Sequence, residues 1–177
     1  MAVNAVSETD YGTLTRPCVL RLVHHFNFTS NDIVVDLGSG IGNVCQNVSP
    51  FVSSCAGYEI DEVRYNVSRR LVSKAHMLKG PYTRYTDGVH DFVQPMPENV
   101  EFFLRDFRTL KFVRATVVIA HSTAFSDITM RRISDIVRAS PSVRLLISQK
   151  PVNITDEVEP VQCTFSWSMN SFINHTM

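Results

Sequence analysis

Residues 36–42 combine an acid with a run of closely spaced glycines. The stretch reads Asp-Leu-Gly-Ser-Gly-Ile-Gly, so a glycine stands at every second position after the acid. It follows residues 33–35, a β-branched run long enough for a buried strand, and precedes an amphipathic run near Val44. Because glycine has no Cβ, such a turn can bend sharply and let a ligand touch the backbone. A strand, a glycine turn and a helix in this order predict a nucleotide-binding unit of a doubly wound sheet.

The spacing of the glycines narrows the class of ligand. A dinucleotide-binding fingerprint reads G-x-G-x-x-G, whereas this chain has D-x-G-x-G-x-G. That pattern resembles the first motif of class I methyltransferases, which use S-adenosylmethionine (SAM). The resemblance implies that Asp36 lies near the methionine end of the cofactor. A corner without a ligand is the alternative, but alternating glycines cost conformational entropy that a plain corner need not spend.

Two further strand ends carry side chains suited to a nucleoside. Glu59 ends an apolar run and, at the tip of the second strand, is placed where a ribose diol is held. Residues 100–104 predict the third strand, and Asp106 and Phe107 follow it. A carboxylate there can accept a hydrogen bond from the adenine amino group, and an aromatic ring can stack on the base. Taken alone, each is also compatible with a surface carboxylate or a core phenylalanine.

Alternating strands and helices must position these side chains. Helices are predicted after Thr15, over residues 62–77 and after a cap at Ser126 or Asp127. Five strands are predicted between and around the helices, at residues 33–35, 55–60, 100–104, 116–120 and 143–148.

The remaining segments complete the predicted α/β fold. Residues 11–15 predict a turn, and residues 80–98, which are rich in glycine and proline, predict a long loop. Residues 161–167 and 171–176 alternate around 168–170 and predict a C-terminal antiparallel hairpin. Five strands alternating with helices, then a hairpin, indicate the seven-stranded Rossmann-like sheet of class I SAM methyltransferases, with helices on both faces.

Composition limits the classes of protein. The 177 residues, 44% of them hydrophobic, predict one domain over 1–177, with 1–10 as a loose leader. No apolar run reaches the roughly 20 residues of a membrane span, and no signal peptide is expected. The formal net charge is zero, which argues against strong autonomous nucleic-acid binding. The cysteines lack C-x-x-C spacing, so neither zinc nor disulfides are expected, and Cys45 and Cys55 predict buried thiols in a reducing, intracellular compartment.

A set of motifs extends the resemblance well beyond the glycine turn. In order and spacing the set resembles the disruptor-of-telomeric-silencing family of histone lysine methyltransferases, which are class I rather than SET-domain enzymes. The resemblance covers the chain from about Tyr11 to its end. The motifs are Tyr11-Gly12, Asp36 to Val44, Glu59, Arg105-Asp106-Phe107, residues 117–125, residues 146–151, Ser166-Trp167 and residues 171–176.

The family resemblance implies a function and a site. It implies methyl transfer from SAM to a lysine on the folded face of a nucleosomal histone, in the nucleus and without a metal. On the acceptor side, it implies that Ser148 and Phe172 line the target-lysine channel and that His121 and Ser122 orient the amine. The cofactor-binding residues that it implies are Tyr11, Asp36, Gly38, Ser39, Gly40, Gly42, Asn43, Glu59, Asp106 and Phe107.

The chain departs from the family pattern at three places, and these departures leave alternatives for the acceptor and the activity open. The chain has Thr13 where the family has glutamate, His121-Ser122-Thr123 where it has Asn-Asn-Phe, and Phe172 where it has tyrosine. Another protein or an RNA is therefore an alternative acceptor, and a catalytically inactive SAM-fold binding module is a further alternative. His121 is compatible with either a general base or a structural role.

Overall fold

A computed structural model of the chain describes residues 12–77, 83–86, 91–94, 98–112, 114–153 and 169–171. The helices are α1 (Arg16–His25), α2 (Asn43–Val48), α3 (Glu62–Met77) and α4 (Asp127–Arg138), and 3-10 turns span Ser49–Phe51 and Phe107–Thr109. The strands are β1 (Gly12–Leu14), β2 (Ile33–Leu37), β3 (Ser54–Glu59), β4 (Thr83–Thr86), β5 (Asp91–Gln94), β6 (Val100–Leu104), β7 (Val117–Ala120), β8 (Leu145–Ser148) and β9 (Met169–Ser171).

Five strands form a parallel sheet in the order β6-β3-β2-β7-β8. The chain builds the sheet outward from β2 through β3 to β6, and then returns to the other side of β2 with β7 and β8. The strand order therefore reverses between β2 and β7. In open α/β sheets, ligands bind outside the carboxyl ends of the strands at such a switch point.

The sheet is buried on both faces. Val34 and Val117 belong to one hydrophobic cluster together with residues of α1 and α2. Their chain neighbours Val35 and Val118 belong to a second cluster with residues of α4. Because successive side chains of a strand point to opposite faces, helices cover both sides of the sheet. The predicted α/β fold with a parallel sheet is confirmed.

Most of the predicted helices and strands are confirmed close to their expected bounds. α3 begins and ends at the residues that its apolar periodicity predicts. Ser126, one of the two predicted caps of α4, accepts a hydrogen bond from the Thr129 amide at 3.3 Å. Thr15 precedes α1, and Pro17 lies in its first turn, where its missing N–H is not needed. None of the helices in the described segments is long and apolar enough to cross a membrane.

The predicted C-terminal hairpin and seven-stranded sheet are not found among the described residues, whose parallel sheet has five strands. Met169 and Asn170, predicted as part of the hairpin turn at 168–170, instead join Ser171, predicted to begin the second hairpin strand, in β9, which pairs antiparallel with β1. The turn predicted at 11–15 is likewise wrong over 12–14, because those residues form β1. β1 and β9 pair their backbone N–H and C=O groups with each other although they are far apart in the sequence. Turn signals are local, so they cannot reveal such a pairing. The other hairpin residues, 161–168 and 172–176, lie outside the described residues.

The long loop predicted over 80–98 is also wrong in part. β4 and β5 pair antiparallel, with Thr83 opposite Gln94 and Thr86 opposite Asp91. In the sequence, Gly88 falls between the two strands and Pro95 follows the second. Glycine and proline are as typical of hairpins as of loops, so these residues do not distinguish the two in the sequence.

Candidate functional site

The glycine loop, residues 38–42, leads from the carboxyl end of β2 to α2. Gly38, Gly40 and Gly42 have φ angles of +77°, +56° and +85°, in the left-handed region where side chains cause strain. A Cβ at Gly38 would lie 2.9 Å from the ring of Phe125, and one at Gly42 would lie 2.2 Å from that of Phe102. The positive φ angle therefore favours glycine at all three positions, and close packing adds to this preference at Gly38 and Gly42.

Glu59 ties the glycine loop to the end of β3. One carboxylate oxygen accepts a hydrogen bond from the Gly40 amide at 2.8 Å. The other accepts from the amides of Ile60 and Asp61, each at 2.8 Å. A carboxylate has about four acceptor positions, of which these amides fill three. Glu59 is only 5% exposed. Because it binds the Gly40 amide, the residue predicted to hold a ribose also positions the glycine loop.

Asp36 places a carboxylate deep below the glycine loop. It is 1% exposed, and its Oδ2 has no hydrogen-bond partner among the described residues. Burial, together with the nearby charge of Glu59, raises the pKa of Asp36 to about 7. The buried hydroxyl of Ser39, inside the loop, also lacks a hydrogen-bond partner within the described part of the chain. Buried polar atoms are normally satisfied, so these two indicate a place for a polar ligand.

Asn43, the first residue of α2, connects the glycine loop to β1. Its side-chain amide donates to the carbonyl of Leu14, and the Asn47 amide donates to its Oδ1 at 3.0 Å. The end of β1 therefore lies beside the first residue of α2, which follows the glycine loop. Tyr11, predicted to lie beside the methionine end of the cofactor, falls outside the described residues.

Asp106 and Phe107 follow β6, as predicted, but Asp106 has a strong partner that the sequence does not reveal. Its carboxylate accepts from the backbone amide, Nε and Nη2 of Arg108, each at 2.9 Å. These hydrogen bonds hold the pKa of Asp106 below its usual range. The ring of Phe107 is buried, with its centroid 5.7 Å from that of Phe125. An adenine amino group that bound Asp106 would therefore have to share its carboxylate with Arg108.

His121 and Ser122 begin the loop after β7, residues 121–126, which we call the β7 loop. Leu37 pairs with Ala120, so the β7 loop leaves the sheet beside the glycine loop. The Nε2 atom of His121 is buried without a hydrogen-bond partner among the described residues. Desolvation lowers the pKa of His121 below its usual value, so the imidazole is neutral at pH 7. It can accept one hydrogen bond from a ligand that enters between the two loops.

The two predicted acceptor-side serines contact each other. Ser122 is fully buried, and its Oγ lies 2.8 Å from the Oγ of Ser148, at the end of β8. Phe172, the other residue predicted to line the acceptor channel, lies outside the described residues. Within the described part of the chain, His, Cys, Asp and Glu side chains form no group of three or more that could hold a metal ion.

The structure adds residues that sequence reasoning missed. Phe125 packs against Gly38, Arg108 binds Asp106, and Gln149 and Lys150 contact the β7 loop. Phe125 and Lys150 fall inside stretches that resemble family motifs, but their contacts become visible only in three dimensions. The carboxyl edge of the sheet therefore brings together the glycine loop, the neutral imidazole of His121 and Asp36, whose buried Oδ2 has no partner among the described residues.

Comparisons with known proteins identify a family and a fold. The family described as histone methylation protein DOT1 matches residues 2–159. No curated protein matches the chain.

Solved structures share the fold at low sequence identity. An RNA methyltransferase from Salinibacter ruber, in complex with S-adenosyl-L-homocysteine, is 19% identical with a TM-score of 0.54, over 77% of this chain and 76% of that chain. A dimethyladenosine transferase from Plasmodium falciparum is 17% identical with a TM-score of 0.55, over 77% and 42%. Precorrin 8w decarboxylase from Methanobacterium thermoautotrophicum is 11% identical with a TM-score of 0.54, over 78% and 65%. This chain thus spans between 42% and 76% of the length of these structures.

Proposed function

The chain belongs to the family of the histone methylation protein DOT1, and from this premise we propose that it is a SAM-dependent lysine N-methyltransferase that acts on a nucleosomal histone in the nucleus. The observation that carries the proposal is the buried Oδ2 atom of Asp36, which has no hydrogen-bond partner among the described residues. It lies on β2, next to the switch point of the sheet, where ligands of this architecture bind. The amino acid tail of SAM carries an α-ammonium group that such a carboxylate can bind.

The residues around the crevice fit the parts of SAM. The α-ammonium would supply the partner that Asp36 Oδ2 lacks, and it would stabilise the charged form that burial disfavours. Glu59 has acceptor capacity left for a ribose hydroxyl after its three backbone amides. The left-handed glycines let the backbone approach the cofactor closely, and Ser39 adds an unpartnered hydroxyl.

The chain's own contribution to the chemistry is positioning and desolvation. When bound, SAM would supply a methyl group on a sulfonium. A neutral amine that attacks this methyl group in line breaks the methyl–sulfur bond, so that S-adenosylhomocysteine leaves and the amine loses a proton. A free lysine has a pKa near ~10.4, so a nucleophilic amine must be stripped of its proton, and an apolar surrounding favours the neutral form. His121 can accept a hydrogen bond from that amine, because its own imidazole is neutral at pH 7. Alignment of the reacting groups can supply up to ~7–11 kcal/mol of the barrier in ideal cases.

Methyl transfer can be measured with labelled SAM, using intact nucleosomes, free histones and total RNA as acceptors. We expect label to enter a histone of the intact nucleosome and to be weaker on free histones. Gly40→Arg is the negative control, because it puts a long side chain at a φ of +56° inside the glycine loop. SAM binding without transfer to any histone would contradict the proposed substrate, and transfer to RNA would support another acceptor. Binding without any turnover would support a non-catalytic module.

A different acceptor is the second candidate, and the acceptor side of the crevice favours it. The family's two amides are replaced by His121 and Ser122, and the hydroxyl of Ser122 contacts Ser148. Of these two replacements, His121 has a buried atom, Nε2, without a hydrogen-bond partner among the described residues. An imidazole accepts one hydrogen bond in its neutral form, whereas an amide side chain both donates and accepts. The RNA and free-histone arms of the same assay discriminate between the two candidates.

We expect His121→Ala to lower kcat about 100-fold while the Kd for SAM stays within about twofold of wild type. The reason is that His121 follows β7 on one side of β2, whereas Glu59 ends β3 on the other side and Asp36 lies on β2 itself. His121→Asn, which restores an amide of the family type, should recover part of the activity. The measurements are steady-state methyl transfer and calorimetric titration with SAM. Equal loss of SAM affinity and kcat in His121→Ala would assign His121 to the cofactor pocket instead.

A further inference from the structure

The β7 loop is held at two points by the segment that follows β8. The amide of Ser122 donates to the Oε1 atom of Gln149 at 2.6 Å. The backbone amide of Lys150 donates to the Oγ of Ser122 at 3.0 Å, and the ammonium of Lys150 donates to the carbonyl of Phe125. The loop is therefore tied near its start at Ser122 and near its end at Phe125.

The hydroxyl hydrogens of the two serines are both used inside this network. Ser148 donates to the carbonyl of Lys150 at 2.8 Å. Because a hydroxyl has a single hydrogen to donate, Ser122 must be the donor in its 2.8 Å contact with Ser148. Both serines thus hold the β7 loop in this arrangement. The β7 loop also carries His121, whose buried Nε2 has no hydrogen-bond partner in the described part of the chain, and Phe125, whose ring lies against the glycine loop.

The position of the Phe125 ring shapes the crevice. A Cβ on Gly38 would lie 2.9 Å from this ring, so the ring lies directly against the glycine loop. On its other side, the centroid of the Phe107 ring is 5.7 Å away. A shift of the Phe125 backbone would open a gap between the glycine loop and Phe107 and would move His121, four residues earlier. The Lys150 ammonium, which binds the Phe125 carbonyl, opposes that shift.

We propose that Gln149 and Lys150 are positioning residues for methyl transfer, which act through Ser122 and Phe125 to hold the β7 loop against the glycine loop. This inference rests on the proposed function, since it assigns both residues to that same site. Neither side chain needs to touch the cofactor or the acceptor. Their effect is therefore expected on kcat and on the mobility of the β7 loop, with SAM affinity largely retained.

The first test compares Gln149→Leu with Gln149→Glu. Leucine removes the acceptor for the Ser122 amide, whereas glutamate has the same side-chain length and keeps an oxygen that can accept from this amide. We expect Gln149→Leu to lower kcat at least about tenfold with a Kd for SAM within about twofold of wild type, because small misplacements of reacting groups cost this much. Gln149→Glu should restore most of the activity. In hydrogen exchange, backbone amides of residues 121–126 should exchange faster in Gln149→Leu and near the wild-type rate in Gln149→Glu.

The second test compares Lys150→Met with Lys111→Met, an exposed lysine after the 3-10 turn. Only Lys150→Met should lower kcat and speed exchange in residues 121–126. Unchanged kcat and unchanged exchange in both Gln149→Leu and Lys150→Met would overturn the proposal. If the wild-type protein transfers no methyl group to any acceptor, the proposed function fails. The exchange measurement alone then decides whether these two residues hold the loop, and unchanged exchange would overturn that role as well.

Discussion

Asp36→Asn is expected to weaken SAM binding about 100-fold and, at pH 8, to make the ligand-free protein more stable. The loss of affinity follows because the amide cannot supply the buried charge that would pair with the cofactor's ammonium, and such pairs cost 2–5 kcal/mol to break. The gain in stability follows because the wild-type carboxylate is 1% exposed with Oδ2 unpartnered within the described structure. A residue that matters only for folding would not move the two quantities in opposite directions.

The pH dependence of this stability has a definite sign. Folding raises the pKa of Asp36 from 3.8 to about 7. Between these values the folded state holds the proton that the unfolded state has released, so the free energy of unfolding falls as pH rises from about 4 to 7. A shift of three pKa units corresponds to about 4 kcal/mol of lost stability, and the unsatisfied amide of the variant cancels part of the gain from removing it. We therefore expect the free energy of unfolding of Asp36→Asn to exceed that of wild type by about 1–3 kcal/mol at pH 8. Near pH 4 the difference should disappear.

Asp32→Asn is the matched control, with the opposite expected sign. Asp32, at the other end of the same strand, accepts from Arg144 Nη2 at 2.7 Å and from the Thr29 amide at 2.8 Å. These partners hold its pKa well below the usual value, so its stabilising contribution is present above about pH 4 and is lost as pH falls further. The free energy of unfolding of Asp32→Asn should be about 1–3 kcal/mol lower than that of wild type at pH 8. This range is modest because Arg144 is partly exposed and solvent screens the ion pair. The affinity for SAM should be retained. Urea titrations at pH 4, 6 and 8 measure both variants.

Wild-type SAM binding supplies an independent check on Asp36. If the neutral carboxyl must release its proton before the ammonium binds, the Kd for SAM should rise as pH falls from 7 toward 5, and Asp36→Asn should be flat over that range. A pH-independent Kd in the wild-type protein, or unchanged affinity in Asp36→Asn, would contradict the assignment of Asp36 to the cofactor's ammonium.

The elements predicted correctly are those whose signals are local. The apolar stripe of α3 lies within 16 residues, and each parallel strand has its own β-branched or apolar run. The pairing of β1 with β9 joins Gly12 to Ser171. No local pattern encodes a partner that far away, so β1 was predicted as a turn. The β4–β5 hairpin was missed for another reason, because glycine and proline at strand boundaries favour loops and hairpins equally.

Local sequence signals predict some parts of the candidate site, whereas other parts depend on contacts that are distant in the sequence. Asp36, the glycine loop and Glu59 follow from short motifs at strand ends. The structure joins the loop to Glu59 by a hydrogen bond and places Asp36 close enough for the charge of Glu59 to raise its pKa. The tethers of the β7 loop depend on residues 27 positions apart, Ser122 and Gln149, and on the carbonyl of Phe125. The pairing of Asp106 with Arg108 is local, yet arginine two residues after an aspartate has no distinctive signal. Contacts that depend on the placement of whole strands are therefore the ones that sequence reasoning cannot supply.

Glu59→Gln is expected to weaken SAM binding about 100-fold through the glycine loop, although the two side chains have the same size. Glutamine can keep an oxygen for the amides of Ile60 and Asp61, but its NH₂ group then faces the Gly40 amide, donor against donor. An unsatisfied buried donor costs about 1–3 kcal/mol, and the loop can relieve it only by moving away from the ribose side of the crevice. Glu62→Gln, an exposed acid in the first turn of α3, should leave the Kd within about twofold.

Glu59→Gln also tests the coupling between the two carboxylates. The charge of Glu59 is one cause of the raised pKa of Asp36, so its removal should lower that pKa. The pH at which the remaining SAM affinity declines should then shift toward acid in Glu59→Gln relative to wild type, while Glu62→Gln keeps the wild-type profile. Calorimetric titrations from pH 5 to 8 measure this shift. An unshifted profile together with a wild-type Kd would mean that Glu59 supports neither the loop nor the ribose, and the cofactor site would have to be placed elsewhere along the sheet edge.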